Sequence, residues 1–278
     1  MSIISPEIQI PPQARQVLVE VLVAAGRLLR QSHGAGLPAR IKENQSSVVT
    51  QADLASERLI LSRLKKVFPR HNYLAEESGY QRRGSDFTWI VDPLDGTSNF
   101  AAGLPWFGVM AALMNRNEVV LAGMYLPLTQ VLYVGAKDGG VERNGVPVRL
   151  PRPPSLKETL WAYGIDATSN PAKGRRQAEV FRRLAARVRN VRATNSLVDF
   201  CYTLDGALGG FLNQNTKIWD IAPIQLLLVE AGGLMTDPAG APVNLDLSSR
   251  GWRRNYAVLG THPRLLPRVV RLVKQARD

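Results

Sequence analysis

The sequence predicts a mixed α/β fold in which helices and sheets pack in layers. Two kinds of hydrophobic pattern carry this prediction: apolar residues recur every three or four positions in some segments, and short apolar runs alternate with polar turns in others. The two kinds of segment do not alternate one by one, so a strict βαβ succession is not expected. The 278 residues, 45% of them hydrophobic, are enough for one large domain or two small ones.

The first half of the chain begins with helices and continues with strands. A helix is predicted from Gln13 to Gln31, and a second one starts near Asp53 and ends at Phe68, before Pro69. Short apolar runs follow, and Asn144-Gly145 is typical of a hairpin turn. The spacing of these runs predicts an antiparallel meander. Its strands are expected at residues 72–75, 88–91, 107–114, 119–125 and 131–135.

A proline cluster at 151, 153 and 154 divides the chain into two regions that could form sub-domains, 1–150 and 151–278. In the second region, strands are predicted at 160–165, at 207–212, and near Leu234 and Tyr256. Helices are predicted at 174–189, at 197–204, from Asp220 to Gly232, and at 265–276.

Composition excludes several kinds of site. Cys201 is the one cysteine, so no intrachain disulfide and no cysteine-rich zinc site can form. The three histidines are far apart in the sequence, so oxygen ligands would hold any metal, which favours magnesium-like ions. The N-terminal segment lacks the pattern of a signal peptide, and no apolar run has the length of a membrane span. We therefore expect a soluble, cytoplasmic protein with no membrane partner.

The formal net charge of +12 favours anionic ligands or contact with nucleic acid. Basic residues crowd the helix predicted at 174–189, which is either a surface for RNA or a protein partner or a solvated helix face. We expect the solvated face, with Phe181, Leu184 and Val188 buried beneath it. No aromatic residues lie between the arginines, which argues against base stacking. The basic residues are Lys173, Arg175, Arg176, Arg182, Arg183, Arg187, Arg189 and Arg192.

One segment has the composition of a cation and phosphate site. Asp92-Pro93-Leu94-Asp95-Gly96-Thr97 follows an apolar run, so both aspartates are expected to converge at the end of a strand. Two carboxylates and the carbonyl of Leu94 on one turn suit a hard cation. The amides of Gly96 and Thr97, at a helix N-terminus, would face an anion. The alternative is a solvated turn, because Asp-Pro and Asp-Gly are common turn formers.

Further acidic residues follow another apolar run or open a predicted helix. Glu76 and Glu77 follow the apolar run 72–75, and Asp53 and Asp220 each open a predicted helix. A surface turn would explain the glutamates equally well, and an N-cap would explain either aspartate. Lys42, in the polar loop before Asp53, would either contact phosphate or water at such a site or be solvated.

Taken together, these segments resemble the inositol monophosphatase family of magnesium-dependent, lithium-sensitive sugar phosphatases. The resemblance covers about residues 13–270 and implies one domain over 1–278, an alternating α-β-α-β-α sandwich, and a homodimer. It also implies hydrolysis of a small phosphate monoester by direct attack of water that the metal activates. The matching segments are Val49-Thr50-Gln51-Ala52-Asp53, Glu76-Glu77-Ser78-Gly79, Asp92-Pro93-Leu94-Asp95-Gly96-Thr97 with Asn99-Phe100, and Trp219-Asp220 with Glu230-Ala231-Gly232-Gly233.

The resemblance assigns two Mg²⁺ ions to this set of residues. Glu76, Asp92 and the carbonyl of Leu94 would hold one ion. Asp92, Asp95 and Asp220 would hold the second, so that Asp92 bridges the two. The resemblance also allows a third, weaker site near Glu76.

Catalytic and phosphate-binding roles follow from the same resemblance. Asp53 and Thr97 would orient the attacking water, and Glu76 would take part in catalysis as well as in metal binding. The backbone of Gly96 and Thr97 would bind the phosphate. Glu77 would have a supporting role.

The substrate side departs from the family pattern at two positions. Members that prefer inositol phosphate have a glutamate where this chain has Asn213, and the segment before Ser196 has Asn195 where glycine is usual. Asn213 and Ser196 remain candidate substrate contacts. The substrate is therefore left open among inositol phosphate, other sugar or polyol phosphates, fructose 1,6-bisphosphate, histidinol phosphate and a nucleotide phosphate. The alternative of another class is a non-catalytic protein that binds nucleic acid or a protein complex through its basic surface.

Overall fold

Two helices form the outer layer of the N-terminal half in the computed structural model, which describes residues 9–34, 40–42, 48–248 and 250–276. Helix α1 (Ala14–Ser32) packs on helix α2 (Gln51–Val67), and both contact one face of the first large sheet. Strands β1 (Arg40–Ile41) and β2 (Val48–Val49) form a short antiparallel pair before α2. Both predicted helices are confirmed, with starts one and two residues from those expected.

The first large sheet has eight strands in the order β10-β9-β8-β7-β6-β5-β3-β4. Neighbours from β5 to β10 are antiparallel, so the predicted meander is confirmed from its second strand onwards. For its first strand the prediction is wrong, because β3 pairs in parallel with β5. The three-residue strand β4 was not predicted. The strands are β3 (Asn72–Ala75), β4 (Gly79–Gln81), β5 (Phe87–Asp95), β6 (Gly108–Asn115), β7 (Glu118–Leu126), β8 (Val131–Ala136), β9 (Gly140–Arg143) and β10 (Val146–Val148).

The second large sheet has five strands in the order β12-β11-β13-β15-β14. Strand β11 is parallel to both of its neighbours, whereas β15 is antiparallel to β13 and β14. The short, mostly exposed strand β12 has no apolar run and was missed. The strands are β11 (Leu160–Gly164), β12 (Asn190–Arg192), β13 (Leu208–Thr216), β14 (Leu234–Thr236) and β15 (Tyr256–Thr261).

Helices complete a five-layer sandwich. After the short α3 (Thr97–Ala101) come α4 (Pro171–Ala185), α5 (Leu197–Leu204), α6 (Ile218–Glu230) and α7 (Leu266–Gln275). Helices α5 and α6 lie between the sheets, and α4 and α7 pack on each other over the outer face of the second sheet. The predicted α-β-α-β-α arrangement is thereby confirmed.

The central core between the sheets draws on both halves of the chain. Leu74 and Ile90 of the first half belong to the same buried cluster as Ile221, Leu228 and Val258 of the second. The two regions on either side of the proline cluster therefore share one buried cluster. In the described part of the chain, no helix is both long and apolar enough to cross a membrane.

Candidate active site

The acidic motif that begins at Asp92 contains a β-bulge within strand β5, and it is not a turn that follows the strand. Strand β5 continues through the motif to Asp95, and its pairing with β6 shifts register between Asp92, opposite Met110, and Asp95, opposite Gly108. Residues three apart in a regular strand point to opposite faces, so the bulge is what allows both aspartates to serve one site. The hydroxyl of Ser56 in α2 donates to the carbonyl of Pro93 at 2.6 Å and holds the bulge against that helix.

Three carboxylates meet where β5 and α6 approach each other. Asp92, Asp95 and Asp220 each have one carboxylate oxygen within 4.8 Å of those of the other two. Backbone N–H groups orient each carboxylate: Leu94 N donates to Asp92 at 3.1 Å, Lys217 N donates to Asp220 at 2.7 Å, and Leu197 N donates to Asp95. The three side chains are therefore held in place by the backbone of three different elements.

Neither Asp53 nor Asp220 is an N-cap residue, so the N-cap role that the sequence allowed for each of them is wrong. Thr50 caps α2 and Lys217 caps α6, and each aspartate lies at the third helical position, where its carboxylate accepts the N–H of the capping residue. Each capping contact uses one carboxylate oxygen and leaves the other available to the site.

Asp53 lies beneath the bulge and is joined to it through Thr97. The Thr97 hydroxyl is 2.9 Å from Asp53 Oδ1 and 2.9 Å from the carbonyl oxygen of Leu94. The Leu94 carbonyl, a candidate metal ligand, is therefore in contact with the Thr97 hydroxyl. The other oxygen of Asp53 accepts the Thr50 hydroxyl at 2.6 Å. A hydroxyl with one proton between two acceptors is well placed to orient a water molecule or to pass a proton.

Lys42 contacts the two glutamates that follow β3. Its Nζ lies 2.6 Å from Glu76 Oε1 and also donates to Glu77 Oε1, and the N–H of Glu77 donates to Glu57 at 2.8 Å. Burial alone would lower the pKa of Lys42, but the charges of both glutamates raise it above its ordinary value. Of the two alternatives for Lys42, the solvated side chain is therefore wrong.

The acidic side chains of the site have raised pKa values, mainly because burial disfavours their charged forms. Burial and the neighbouring acids raise the pKa of Glu76 to about 8, and burial raises that of Asp220 to about 7. The pKa values of Asp92 and Asp95 are raised well above the usual range by burial and by the charges of the other acids. Burial also raises the pKa of Asp53, against the hydrogen bonds from Thr50 and Thr97. So many close carboxylates require compensating positive charge.

Gly96 occupies a position where a side chain would not fit. Its φ is 81°, and a Cβ built on it would lie 2.5 Å from the carbonyl oxygen of Trp106 and 3.1 Å from Cβ of Ser196. The backbone of Gly96 and Thr97 lies on the wall of an open cleft of about 690 Å³. Lys42, Glu76, Asp92, Leu94, Asp95 and Asp220 lie on the same wall.

The two candidate substrate residues do not line that cleft. Ser196 caps α5, and Asn213 lies near the end of β13; both line a smaller neighbouring cavity of about 120 Å³ that also touches Asp95 and Asp220. We call this the side cavity. Asp166 and Asn215 line both the cleft and the side cavity. Sequence reasoning missed these two residues, although each lies near the C-terminal end of one of two parallel strands, where ligands commonly bind.

Comparisons with known proteins agree with this geometry. The family model described as "Inositol monophosphatase family" matches residues 12–277. The chain is 32% identical over 220 residues to the fructose-1,6-bisphosphatase/inositol-1-monophosphatase of Aquifex aeolicus, covering 77% of this chain and 81% of that protein. It is 28% identical to Nus factor SuhB of Escherichia coli, covering 94% and 95%. An IMPase structure from Thermotoga maritima matches with a TM-score of 0.82 at 26% identity, covering 93% and 96%. The chain therefore belongs to the inositol monophosphatase family and is a phosphoric monoester hydrolase.

Proposed function

We propose that this protein is a Mg²⁺-dependent phosphatase that hydrolyses a small sugar or polyol phosphate by direct attack of water. One observation carries the proposal: Asp92, Asp95 and Asp220 offer oxygens within 4.8 Å of one another beside an open cleft. Three oxygen ligands, with no histidine or cysteine among them, suit a hard divalent cation. Their raised pKa values indicate that the site has too few positively charged groups to balance its carboxylates.

The residues fit two magnesium ions, with a third site near Glu76. Asp92, Asp95 and Asp220 would hold one ion, and Glu76, Asp92 and the carbonyl of Leu94 would hold another. When bound, Mg²⁺ supplies charge neutralisation for the phosphate and lowers the pKa of water. Lys42 now makes an ion pair with Glu76, so metal binding there would compete with Lys42.

The chain's own groups would orient the reactants. The Thr97 hydroxyl, 2.9 Å from Asp53 Oδ1, would hold the attacking water and pass its proton to Asp53, whose raised pKa makes it a better base than an ordinary aspartate. The N–H groups of Gly96 and Thr97 would bind phosphate oxygens. No covalent intermediate on the protein is needed, because water is the nucleophile.

The test is phosphate release from a panel of small esters with Mg²⁺, with EDTA, and with Mg²⁺ plus Li⁺. The panel contains inositol 1-phosphate, glycerol 1-phosphate, fructose 1,6-bisphosphate and histidinol phosphate. We expect release that requires Mg²⁺ and is inhibited by Li⁺. Absence of Mg²⁺-dependent release from every ester, in folded protein, would contradict the proposal.

Fructose 1,6-bisphosphate is an alternative substrate that a second cleft supports. This cleft of about 780 Å³ shares Asn255 with the first one, and Lys173, Arg176 and Arg254 lie on its walls. Arg254 is fixed by a 2.7 Å hydrogen bond to the carbonyl of Asn244 and by stacking over Tyr256. These cations would suit a second phosphate. A higher kcat/KM for the bisphosphate than for fructose 1-phosphate, lost in Arg254→Gln, would favour this alternative.

A second candidate function is binding of nucleic acid through helices α4 and α7. Residues 171–192 contain eight basic residues and one acidic residue, and residues 264–276 contain four basic residues and none that is acidic. The two helices pack together, so these charges form one surface. The likeness to Nus factor SuhB is consistent with such a role. RNA affinity that needs no Mg²⁺ and falls steeply with salt would favour it, and unchanged affinity across salt concentrations would count against it.

A homodimer and a cytoplasmic location complete the proposal. The family resemblance supports the dimer. Light scattering of the purified protein tests the first, and cell fractionation tests the second.

A further inference from the structure

The side cavity lies where the alcohol part of a substrate would sit. Asp95 and Asp220, two of the proposed metal ligands, form part of its wall, and Asp166 lines both this cavity and the cleft beside Gly96 and Thr97. The charge of Asp166 also raises the pKa of Asp220, so the two carboxylates are close. A phosphate held at Gly96 and Thr97 would therefore have its ester substituent in the cleft that Asp166 also lines.

Asp166 is held in place by amide groups rather than by a cation. The side chain of Asn195 donates to Asp166 Oδ1 at 3.1 Å, and the Asn215 side chain also hydrogen-bonds to Asp166. Asn195 itself, at a φ of 51°, bonds both backbone groups of Ile165: it accepts from the N–H at 3.2 Å and donates to the carbonyl at 2.9 Å. These hydrogen bonds therefore fix the position of the carboxylate.

The side cavity has acceptor groups and negative charge without a matching cation. None of the described residues that line it is Lys or Arg, and within the described ranges no Lys or Arg forms an ion pair with Asp166. Burial raises the pKa of Asp166, and the charge of Lys173 lowers it. Asn215 Oδ1 is buried with no hydrogen-bond partner among the described residues. Once Asp95 and Asp220 are matched by metal, Asp166 would still have no ion-pair partner among the described Lys and Arg side chains.

We infer that the side cavity binds a protonated amine on the leaving group, so that the preferred substrates are phosphate esters of amino alcohols. The inference rests on the proposed phosphatase function. An ammonium group balances the charge of Asp166 and donates up to three hydrogen bonds, enough for Asp166 and Asn215 Oδ1 together. A hydroxyl in its place donates one hydrogen bond and leaves the charge uncompensated.

The test compares two esters that differ in one substituent: glycerol 1-phosphate and 2-amino-1,3-propanediol 1-phosphate. We expect kcat/KM at neutral pH to be at least about tenfold higher for the amine, as charge-assisted hydrogen bonds are stronger than neutral ones. This preference should disappear above the pKa of the amine. In Asp166→Asn, kcat/KM for the amine ester should fall about tenfold more than that for glycerol 1-phosphate.

Asp138→Asn is the matched control, because Asp138 is exposed and has a φ of 59°, which Asn tolerates. This variant should leave kcat/KM for both esters unchanged. Equal kcat/KM for the two esters, or a preference that survives in Asp166→Asn or at high pH, would overturn the inference. Mg²⁺-dependent release from glycerol 1-phosphate would still support the phosphatase in that case. Absence of Mg²⁺-dependent release from both esters and from the panel would overturn both.

Discussion

Replacing Asp95 by Asn should abolish turnover and yet stabilise the metal-free protein. Asp95 shares the buried site with Asp92 and Asp220, and the three carboxylates lie within 4.8 Å of one another. Asn keeps the size of the side chain and an oxygen that can accept the Leu197 N–H, but it removes one negative charge. The substitution therefore removes repulsion and a metal ligand together.

The size of the stabilisation follows from the separation of the charges. Two full charges 4.8 Å apart repel by about 3.5 kcal/mol at an effective dielectric constant of about 20. Partial protonation lowers this repulsion, since the pKa values of both Asp95 and Asp220 are raised. We therefore expect the free energy of unfolding of metal-free Asp95→Asn to exceed that of the wild type by about 1–2 kcal/mol at pH 8.

The effect should depend on pH with a definite sign. A carboxyl whose pKa is raised on folding stabilises the folded state fully at pH values below its unfolded pKa, which is near 4. This stabilisation is lost as the pH rises through the pKa of the folded state. For Asp220 that value is about 7 and for Glu76 about 8. The advantage of Asp95→Asn should consequently be small near pH 5 and largest near pH 8.

Urea unfolding in EDTA at both pH values measures the effect, and a second series with Mg²⁺ measures metal binding. Mg²⁺ at 100 times its dissociation constant would stabilise the wild type by about 2.7 kcal/mol, and Asp95→Asn should lose most of this gain. Asp86→Asn is the control, because Asp86 is exposed and pairs with exposed Arg116. A metal-free Asp95→Asn protein less stable than the wild type at pH 8 would refute the reasoning about repulsion. Mg²⁺-dependent turnover at the wild-type rate would refute the assignment of Asp95 to the metal site.

Metal affinity, the Thr97 hydroxyl and the Gly96 backbone each offer a further test. Mg²⁺ affinity should rise between about pH 6 and pH 8, because binding displaces protons from carboxyls such as Glu76 and Asp220; calorimetry in two buffers measures the protons released, and pH-independent affinity would contradict this. Thr97→Val should lower kcat by about 10²-fold or more, whereas Thr97→Ser should retain most of it; equal rates in both would remove Thr97 from the proton path. Gly96→Ala should cost about 1–3 kcal/mol in urea unfolding, given a φ of 81° and the Trp106 carbonyl 2.5 Å from the new Cβ; an unchanged midpoint would be incompatible with this geometry.

The local pattern of the sequence determined most of the elements and part of the candidate site. Helix α5 and strand β3 have the predicted bounds, because an apolar periodicity reports which face is buried. The acidic motif indicated a possible cation site before any fold was known, and the further acidic segments that match the family favoured that site over a solvated turn. Short elements such as β4 and β12 were missed, because three residues are too few to show a period.

The tertiary structure alone decided which groups meet. The bulge in β5 turns Asp92 and Asp95 to one site, Lys42 reaches Glu76 from a different element, and Asp166 meets Asn195 across 29 residues of sequence. Likewise, the two helices α4 and α7, each of which carries basic residues, come together only by packing on each other. Such contacts depend on strand register and on helix packing between distant segments. Periodicity within one segment carries no information about its partner, so the sequence by itself determined the chemistry available and the fold decided where it is combined.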